Sequence, residues 1–309
     1  MARRANSLKA LAPATPPRGA RRALRVVAGT GRPGPESTHP ARWSRPHVPV
    51  VVIASGKGGV GKSTLAANLA VALGERGARV LLVDADFAQA SLDLLLGVHP
   101  RHDLSHVLAG EKTLEEIVVR GPKGVTLVPA ASGAPELADL DDVRLESLLR
   151  GLTQLETDAD LMLIDTASGI SRPVTSLCLA ADLDLVVTTP EMPAFSDAYG
   201  LMKLLHHQGL RTAPHLLVNM AGSAEEAEET AHRIALVARR FLRMELEAWE
   251  PVPLDPTIPR SVRLQEPVLA AFPNSPAAAA YRAIAERLWN TVLPPEPSLE
   301  RDQPQRLEA

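Results

Sequence analysis

Cysteine is almost absent from this sequence, which contains only Cys178 among its 309 residues. A single cysteine excludes an intramolecular disulfide framework, and it argues against an iron–sulfur cluster, which needs several cysteine ligands. Cys178 lies between Leu177 and Leu179, and this apolar setting predicts a small, buried hydrophobic side chain. Aromatic residues make up only 3% of the chain, so aliphatic side chains must fill most of its core.

Long hydrophobic runs are missing as well. No apolar run approaches the roughly 20 residues that a membrane-spanning helix needs, and the N-terminus has no hydrophobic segment typical of a secretory signal. We therefore expect a cytoplasmic protein. The length of the chain and its 45% content of hydrophobic residues fit one α/β domain of about 250 residues with appendages.

Acidic residues are nearly absent from residues 1–48, where Glu36 stands against ten Lys or Arg residues and the net charge is +9. The rest of the chain then carries −12, because the whole has −3. The segment is rich in Pro, Gly and Ala without periodicity, which predicts a disordered basic tail. Such a tail could contact nucleic acid, anionic lipid or an acidic partner. It could equally be a solvated extension, a misplaced start or a transit peptide.

Residues 294–309 are polar and rich in proline, which predicts a flexible tail and leaves residues 49–293 as the folded domain. Short apolar runs alternate with helical segments along this domain, as expected of strands that are buried on both faces. This alternation predicts an α/β fold with a doubly wound, mostly parallel sheet flanked by helices. The predicted strands are Val50–Ala54, Val80–Val83, Val125–Val128, Leu161–Ile164, Leu185–Thr188, His215–Asn219 and a weaker one near Leu246–Pro251, and the predicted helices include Asp141–Leu155, Phe195–Gln208, Ala224–Phe241 and Pro276 to about Thr291.

The most informative motif is a glycine-rich loop between the first predicted strand and a helical segment. Strand, glycine loop and helix are the context that a phosphate-binding P-loop requires, because glycine lets backbone N–H groups surround phosphate oxygens at the start of a helix. Lys62 would reach the β- and γ-phosphates, and the Ser63 hydroxyl would bind Mg²⁺. A plain glycine-rich turn would not explain this Lys-Ser pair. The predicted nucleotide-binding loop comprises Gly56, Lys57, Gly58, Gly59, Val60, Gly61, Lys62, Ser63 and Thr64.

Carboxylates follow two of the predicted strands. Asp84 and Asp86 come at the end of the second strand, and Asp165 ends the apolar run Leu161–Ile164. Carboxylates at the ends of buried strands near a P-loop are well placed for Mg²⁺ and water, and an apolar strand that ends in Asp is typical of a Walker B segment. The pattern therefore predicts that Asp165 contacts Mg²⁺ directly or through water.

Lys57, directly after the first glycine, is a second lysine within the loop, and this spacing resembles the deviant Walker A loop of the MinD/ParA family of P-loop ATPases. The resemblance implies an ATP- and Mg²⁺-dependent homodimer in which Lys57 reaches the nucleotide of the partner, in the manner of an arginine finger. It also implies that Asp86 orients or activates the attacking water and that Asp84 supports the metal shell. Lys57, Lys62 and Asp86 are thus the predicted catalytic residues. A solvated surface charge is the alternative for Lys57.

The same resemblance extends to residues near the base. Asn219 resembles the asparagine that contacts the adenine edge, and the segment Val252–Asp255, with Pro253 and Asp255, matches a loop that surrounds the base. A capping asparagine and a proline-rich turn are the structural alternatives.

Several further segments resemble the FlhG group (also called FleN or YlxH), which are MinD-like ATPases that control flagellum number and placement. These segments are 90–97, 104–110, 164–171, 188–191, 196–203 and 272–277. The resemblance implies a spatial switch whose partner is an FlhF-like GTPase or another flagellar or polar protein. The chain departs from the group in three ways. Its N-terminus has no short motif of the type that stimulates FlhF, Phe87-Ala88-Gln89 replaces a glycine-containing segment, and its last predicted helix has few of the basic residues of a membrane-targeting helix.

Other outcomes remain open from the sequence. Peripheral contact with the inner membrane is one, but the stripe of Tyr281, Ile284, Leu288 and Val292 in the last predicted helix favours core packing over a membrane face. A ParA-like positioning ATPase on the nucleoid is another, with the basic tail providing affinity for DNA. A nucleotide-bound scaffold with negligible turnover is the third.

Overall fold

The computed structural model describes residues 48–131 and 142–293. Both predicted tails, apart from Val48, therefore lie outside the described residues. Eight strands of this part form one sheet in the order β3-β4-β2-β5-β1-β6-β7-β8. All neighbours are parallel except β3, which pairs with β4 in the antiparallel direction. The strands are β1 (Val50–Ser55), β2 (Val80–Ala85), β3 (Val119–Arg120), β4 (Val125–Val128), β5 (Leu161–Ser168), β6 (Leu183–Thr188), β7 (His215–Val218) and β8 (Glu247–Ala248).

Helices cover both faces of this sheet. The described α-helices are α1 (Lys62–Glu75), α2 (Leu92–Leu96), α3 (Leu104–Leu108), α4 (Leu114–Ile117), α5 (Asp142–Leu152), α6 (Arg172–Ala180), α7 (Met192–His207), α8 (Ala224–Leu242), α9 (Thr257–Leu264), α10 (Val268–Ala271) and α11 (Pro276–Val292), with 3-10 turns at Pro122–Gly124 and Thr153–Asp158. The doubly wound, mostly parallel α/β prediction is thus confirmed.

The central strands are mostly apolar because both of their faces are buried. Along β1, Val50 and Val52 pack into one hydrophobic layer with α7 and α8, whereas Val51 and Ile53 pack into the opposite layer with α1 and α11. Alternating side chains point to opposite faces of a strand, so a strand between two helical layers favours apolar residues on both faces.

Two further predictions about the core are confirmed. Cys178 is a free, fully buried thiol on α6. In α11, Tyr281, Ile284 and Leu288 are buried in the layer that includes α1, and Val292 packs against it. In the described part of the chain, no helix has the length and apolar character needed to cross a membrane.

The main differences between predicted and observed elements are an additional strand at one edge of the sheet and the C-terminal end of one helix. Strand β3 was not predicted, because two partly exposed residues carry no hydrophobic pattern. It makes Leu161–Ser168 the fifth strand of the chain instead of the fourth. The predicted helix 141–155 ends as an α-helix at Leu152 and continues as a 3-10 turn.

The strand order positions the functional site. From β1 the chain crosses to β2 and β4 on one side, and later to β6 and β7 on the other. The loop after β1 therefore lies where the winding reverses, which is where open α/β sheets bind ligands at the carboxyl ends of their strands.

Candidate functional site

The loop after β1 begins the site. Gly59 and Gly61 have φ values of 79° and 87°, which lie in the left-handed region that favours glycine. Gly61 precedes α1, and its carbonyl accepts the Leu65 N–H at 2.9 Å. Gly58 and Gly59 are exposed. The loop thus presents open backbone at the N-terminus of a 14-residue helix, where N–H groups and the helix dipole favour anions.

Lys62 is the first residue of α1, and its side chain is only 6% exposed. A buried ammonium group needs a negative partner. Ser63 and Thr64 follow it and are half-buried. The structure therefore brings the lysine and the hydroxyl predicted for phosphate and Mg²⁺ to the start of the helix.

The first glycine of the loop is fixed by close packing. A Cβ atom on Gly56 would lie 2.0 Å from the backbone oxygen of Asp197 on α7. On the other side of the loop, a Cβ on Gly58 would lie 3.4 Å from the Ser168 hydroxyl at the end of β5. The loop thus runs between α7 and β5, and only glycine fits at position 56.

Asp165 lies beside this loop because β5 is the direct neighbour of β1. Its carboxylate is fully buried, and within the described part of the chain neither oxygen accepts a hydrogen bond that meets normal geometry. Burial and then the charge of Asp84 raise its pKa, while Lys62 and the nearby Ser63 hydroxyl oppose that rise. A buried carboxylate with two unpaired oxygens beside a serine hydroxyl fits the hard oxygen ligands that Mg²⁺ prefers.

Asp84 is in register with Asp165 on the neighbouring strand β2. Burial raises its pKa, but three backbone N–H groups oppose the rise by donating to its carboxylate. These N–H groups belong to Asp86, Ser91 and Leu92, each at 3.1 Å. Asp84 therefore fixes the loop after β2, and its support of a metal shell stays a prediction.

Asp86 lies at the mouth of the same site and is half-buried. Its carboxylate accepts the Gln89 N–H at 3.0 Å, within the loop that the Asp84 carboxylate organises. Its charge contributes to raising the pKa of both Asp84 and Asp165. The three carboxylates predicted from sequence are therefore neighbours.

Asn219 follows β7 and is buried against the loop. Its side-chain amide donates to the Val60 carbonyl at 2.7 Å, and its Oδ1 atom accepts the Met220 N–H at 2.9 Å. A Cβ on Gly61 would lie 2.4 Å from the same amide nitrogen. The structure thus gives Asn219 a role in supporting the loop, and the adenine contact stays a prediction that would use the second hydrogen of the amide.

The segment after β8 lies next to Asn219. Ala221 and Pro253 form a bridge, and the Leu254 N–H donates to the Ala221 carbonyl at 2.8 Å. Asp255, however, uses its carboxylate within the chain: Oδ1 accepts from the N–H and hydroxyl of Thr257, and Oδ2 accepts the Ala277 N–H. These bonds lower its pKa although burial opposes them. A contact from this segment to a base would therefore use exposed Leu254 or Pro253 more readily than the Asp255 carboxylate.

Glu191 is a site residue that sequence reasoning did not identify. It follows β6 and directly precedes α7, and its carboxylate forms a 2.6 Å ion pair with the Lys57 ammonium. Its place just beyond a buried strand and within segment 188–191 gave it no role from sequence, because the pairing joins residues 134 positions apart.

Together, the doubly wound sheet, the glycine loop and the carboxylates at the strand ends define a P-loop nucleotide-binding fold. A family model described as the CobQ/CobB/MinD/ParA nucleotide binding domain matches residues 51–268. The antiactivator FleN of Pseudomonas aeruginosa is 36% identical over 250 residues, which cover 81% of this chain and 89% of FleN. The flagellum site-determining protein YlxH of Helicobacter pylori is 31% identical over 225 residues, which cover 72% and 76% of the two chains.

Solved structures agree with these similarities. The septum site-determining protein MinD of Pyrococcus horikoshii, complexed with Mg-ADP, is 30% identical with a TM-score of 0.66, over 78% of this chain and 96% of that one. The chain therefore belongs to the CobQ/CobB/MinD/ParA family, as the resemblance predicted, and it is similar to FleN and YlxH within it.

Proposed function

We propose that this protein is an Mg²⁺-dependent ATPase that forms a dimer when it binds ATP and acts as a regulator of flagellum number or placement. The observation that carries the proposal is the buried Asp165 carboxylate, without a hydrogen-bond partner among the described residues, beside Lys62 and the open glycine loop. That arrangement is costly for the protein alone and becomes favourable when a metal–phosphate group binds. The relative solved with Mg-ADP supports this choice of ligand.

The chain's own residues divide the work of binding and orientation. The N–H groups of Gly58 to Lys62 and the Lys62 ammonium hold the phosphates, while Ser63 and Asp165 hold Mg²⁺. Asp86 orients the attacking water from its half-buried position. Bound Mg²⁺ supplies neutralisation of the charge on the transferred phosphoryl group.

Lys57 acts between protomers. Its side chain is one-third exposed at the rim of the loop, from which it contacts the nucleotide of a second copy and adds positive charge to the reacting phosphate. A single protomer lacks that charge, so turnover depends on the dimer.

The flagellar role rests on similarity to YlxH, whose name describes a flagellum site-determining protein, and to FleN. Partner binding is supported by a solved complex of MinC and MinD from Aquifex aeolicus. One chain of that complex is 28% identical to this protein, with a TM-score of 0.65. An FlhF-like GTPase is the partner that we propose for this chain. Deletion of the gene from a flagellated host should change the number or position of its flagella.

Light scattering with ATP or ADP tests the central proposal. In Asp86→Ala, ATP should hold a dimer that ADP does not hold, and a further Lys57→Ala should abolish it. Nucleotide binding without a change in mass under any condition would overturn the dimer. If phosphate release is also negligible with and without the partner, the chain is a nucleotide-bound scaffold.

A further inference from the structure

Lys57 forms its ion pair within one chain. The Nζ atom of Lys57 and the Oε2 atom of Glu191 are 2.6 Å apart, and the two side chains are 34% and 66% exposed. Both residues border the loop that we propose binds phosphate, so the pair lies at the edge of the site. A lysine held at this distance from a carboxylate in its own chain has one of its three N–H donors in use and its charge partly neutralised, so it is less available to the nucleotide of a second copy.

The backbones at both ends of the pair are fixed. The Ser55 hydroxyl donates to the Lys57 carbonyl at 2.8 Å, and Gly56 packs directly against the Asp197 backbone of α7. Glu191 precedes that same helix, with Pro190 before it and Pro193 in the first turn. Proline restricts the backbone on both sides of Glu191. The start of the loop and the start of α7 are therefore held together, and only the two side chains need to rotate to break the pair.

We propose that Glu191 is a positioning residue that holds Lys57 within its own protomer and competes with the nucleotide of the partner for the lysine. This inference rests on the proposed action of Lys57 between protomers. Dimer formation then breaks one such pair in each protomer, so the pair sets the ATP concentration and the protein concentration at which the dimer forms.

The size of the effect follows from exposure. Exposed ion pairs are worth little in water, and two pairs broken per dimer correspond to a change of about three- to thirty-fold in the dimer dissociation constant. The competition therefore shifts the concentrations at which the dimer forms and does not by itself prevent dimer formation. Salt should diminish it, because ions screen exposed charges.

Sedimentation with Mg²⁺ and a slowly hydrolysed ATP analogue tests the competition. Glu191→Gln removes the negative charge while keeping the shape of the side chain, and we expect it to strengthen the dimer by about three- to thirty-fold. The matched control is Glu245→Gln, which breaks a 2.6 Å pair with Arg239 on α8; Glu245 is 72% exposed, close to the 66% of Glu191. The control should leave the dimer unchanged.

A second measurement needs no dimer. Amine labelling of the nucleotide-free protein, followed by mass spectrometry, should modify Lys57 faster in Glu191→Gln than in the unaltered protein. Modification of Lys203, an exposed lysine on α7, should be equal in the two and serves as the internal reference. Equal labelling of Lys57 would show that the pair does not hold it.

The outcomes separate the two proposals. A dimer that Glu191→Gln leaves unchanged or weakens would overturn the competition while leaving the proposed function intact. Absence of any nucleotide-dependent dimer in the unaltered protein would overturn the proposed dimer, and the competition with it, even if the labelling result showed the ion pair.

Discussion

The side-chain amide of Asn219 donates a 2.7 Å hydrogen bond to the carbonyl of Val60, and so joins the end of β7 to a loop 159 residues earlier in the chain. Both groups are buried. Loss of one partner from a buried hydrogen bond leaves the other without compensation. The contact therefore links the stability of the domain to the geometry of the loop.

Asn219→Ala tests this link. We expect it to lower the free energy of unfolding of the nucleotide-free protein by about 1–3 kcal/mol, because the Val60 carbonyl is left unpaired. If the second amide hydrogen contacts adenine as predicted, affinity for ADP should also fall more than affinity for GDP. Urea unfolding and calorimetric titration measure the two effects.

Asn68→Ala is the matched control. Asn68 is also buried and makes two hydrogen bonds, to the Thr64 carbonyl and from the Leu269 N–H, but it lies within α1. Asn68→Ala should lower the free energy of unfolding by a similar amount, without lowering affinity for ADP more than affinity for GDP. Unchanged stability in Asn219→Ala would contradict the support of the loop, and equal losses for both nucleotides would contradict the adenine contact.

Two glycines of the loop should respond differently to the same substitution. In Gly56→Ala, the new Cβ would lie 2.0 Å from the Asp197 backbone oxygen, and we expect a loss of about 3 kcal/mol or more, since backbone must move. Gly59→Ala meets nothing within 4 Å and should cost only about 1–2 kcal/mol for its positive φ. Equal unfolding midpoints for the two variants would show that α7 does not constrain the loop.

Substitution of the two buried aspartates near the carboxyl ends of β2 and β5 should have opposite effects on stability. Asp165→Asn removes a carboxylate that burial and Asp84 destabilise more than Lys62 and Ser63 stabilise it, and it should therefore stabilise the nucleotide-free protein at pH 8 by about 1–3 kcal/mol. Asp84→Asn should destabilise it by a similar amount, because an amide nitrogen cannot accept the N–H bonds that the carboxylate accepts. Thermal unfolding without ligand measures both.

The ligand-dependent part of this prediction separates function from stability. Mg-ADP should raise the melting temperature of the unaltered protein, and this increase should be lost or strongly reduced in Asp165→Asn. A stabilised apo form that still responds fully to Mg-ADP would contradict the assignment of Asp165 to the metal.

Much of the site could be predicted because its signals are local. The loop from Gly56 to Thr64 and the aspartate that ends β5 each depend on a few adjacent residues, and the parallel topology then brings them together. Asp255 and Glu191 could not be assigned in this way. The Asp255 carboxylate accepts hydrogen bonds from the N–H groups of Thr257 and Ala277. The Glu191 carboxylate pairs with Lys57, which lies 134 positions away. Such contacts depend on tertiary packing, which no local pattern records.

Asp184, which is not part of the nucleotide loop, should make the stability of the domain depend on pH. It lies inside β6 with 6% of its surface exposed, and within the described residues its Oδ1 atom has no hydrogen-bond partner. Burial raises its pKa from 3.8 to about 7, although a hydrogen bond from the Cys178 thiol opposes the rise. The folded state thus binds a proton more tightly than the unfolded state.

The direction of the pH dependence follows from this difference in proton affinity between the folded and unfolded states. The stabilisation by the protonated Asp184 is fully present below pH 3.8 and is lost as pH rises towards about 7, a contribution of up to about 4 kcal/mol. Asp184→Asn should remove this pH dependence because an amide does not ionise, so the variant should be the more stable protein at pH 8 and gain little at pH 4. Asp160→Asn is the control: its pKa is lowered by Arg79, so that carboxylate stabilises at high pH. Parallel pH profiles of unfolding for Asp184→Asn and the unaltered protein would contradict the assignment.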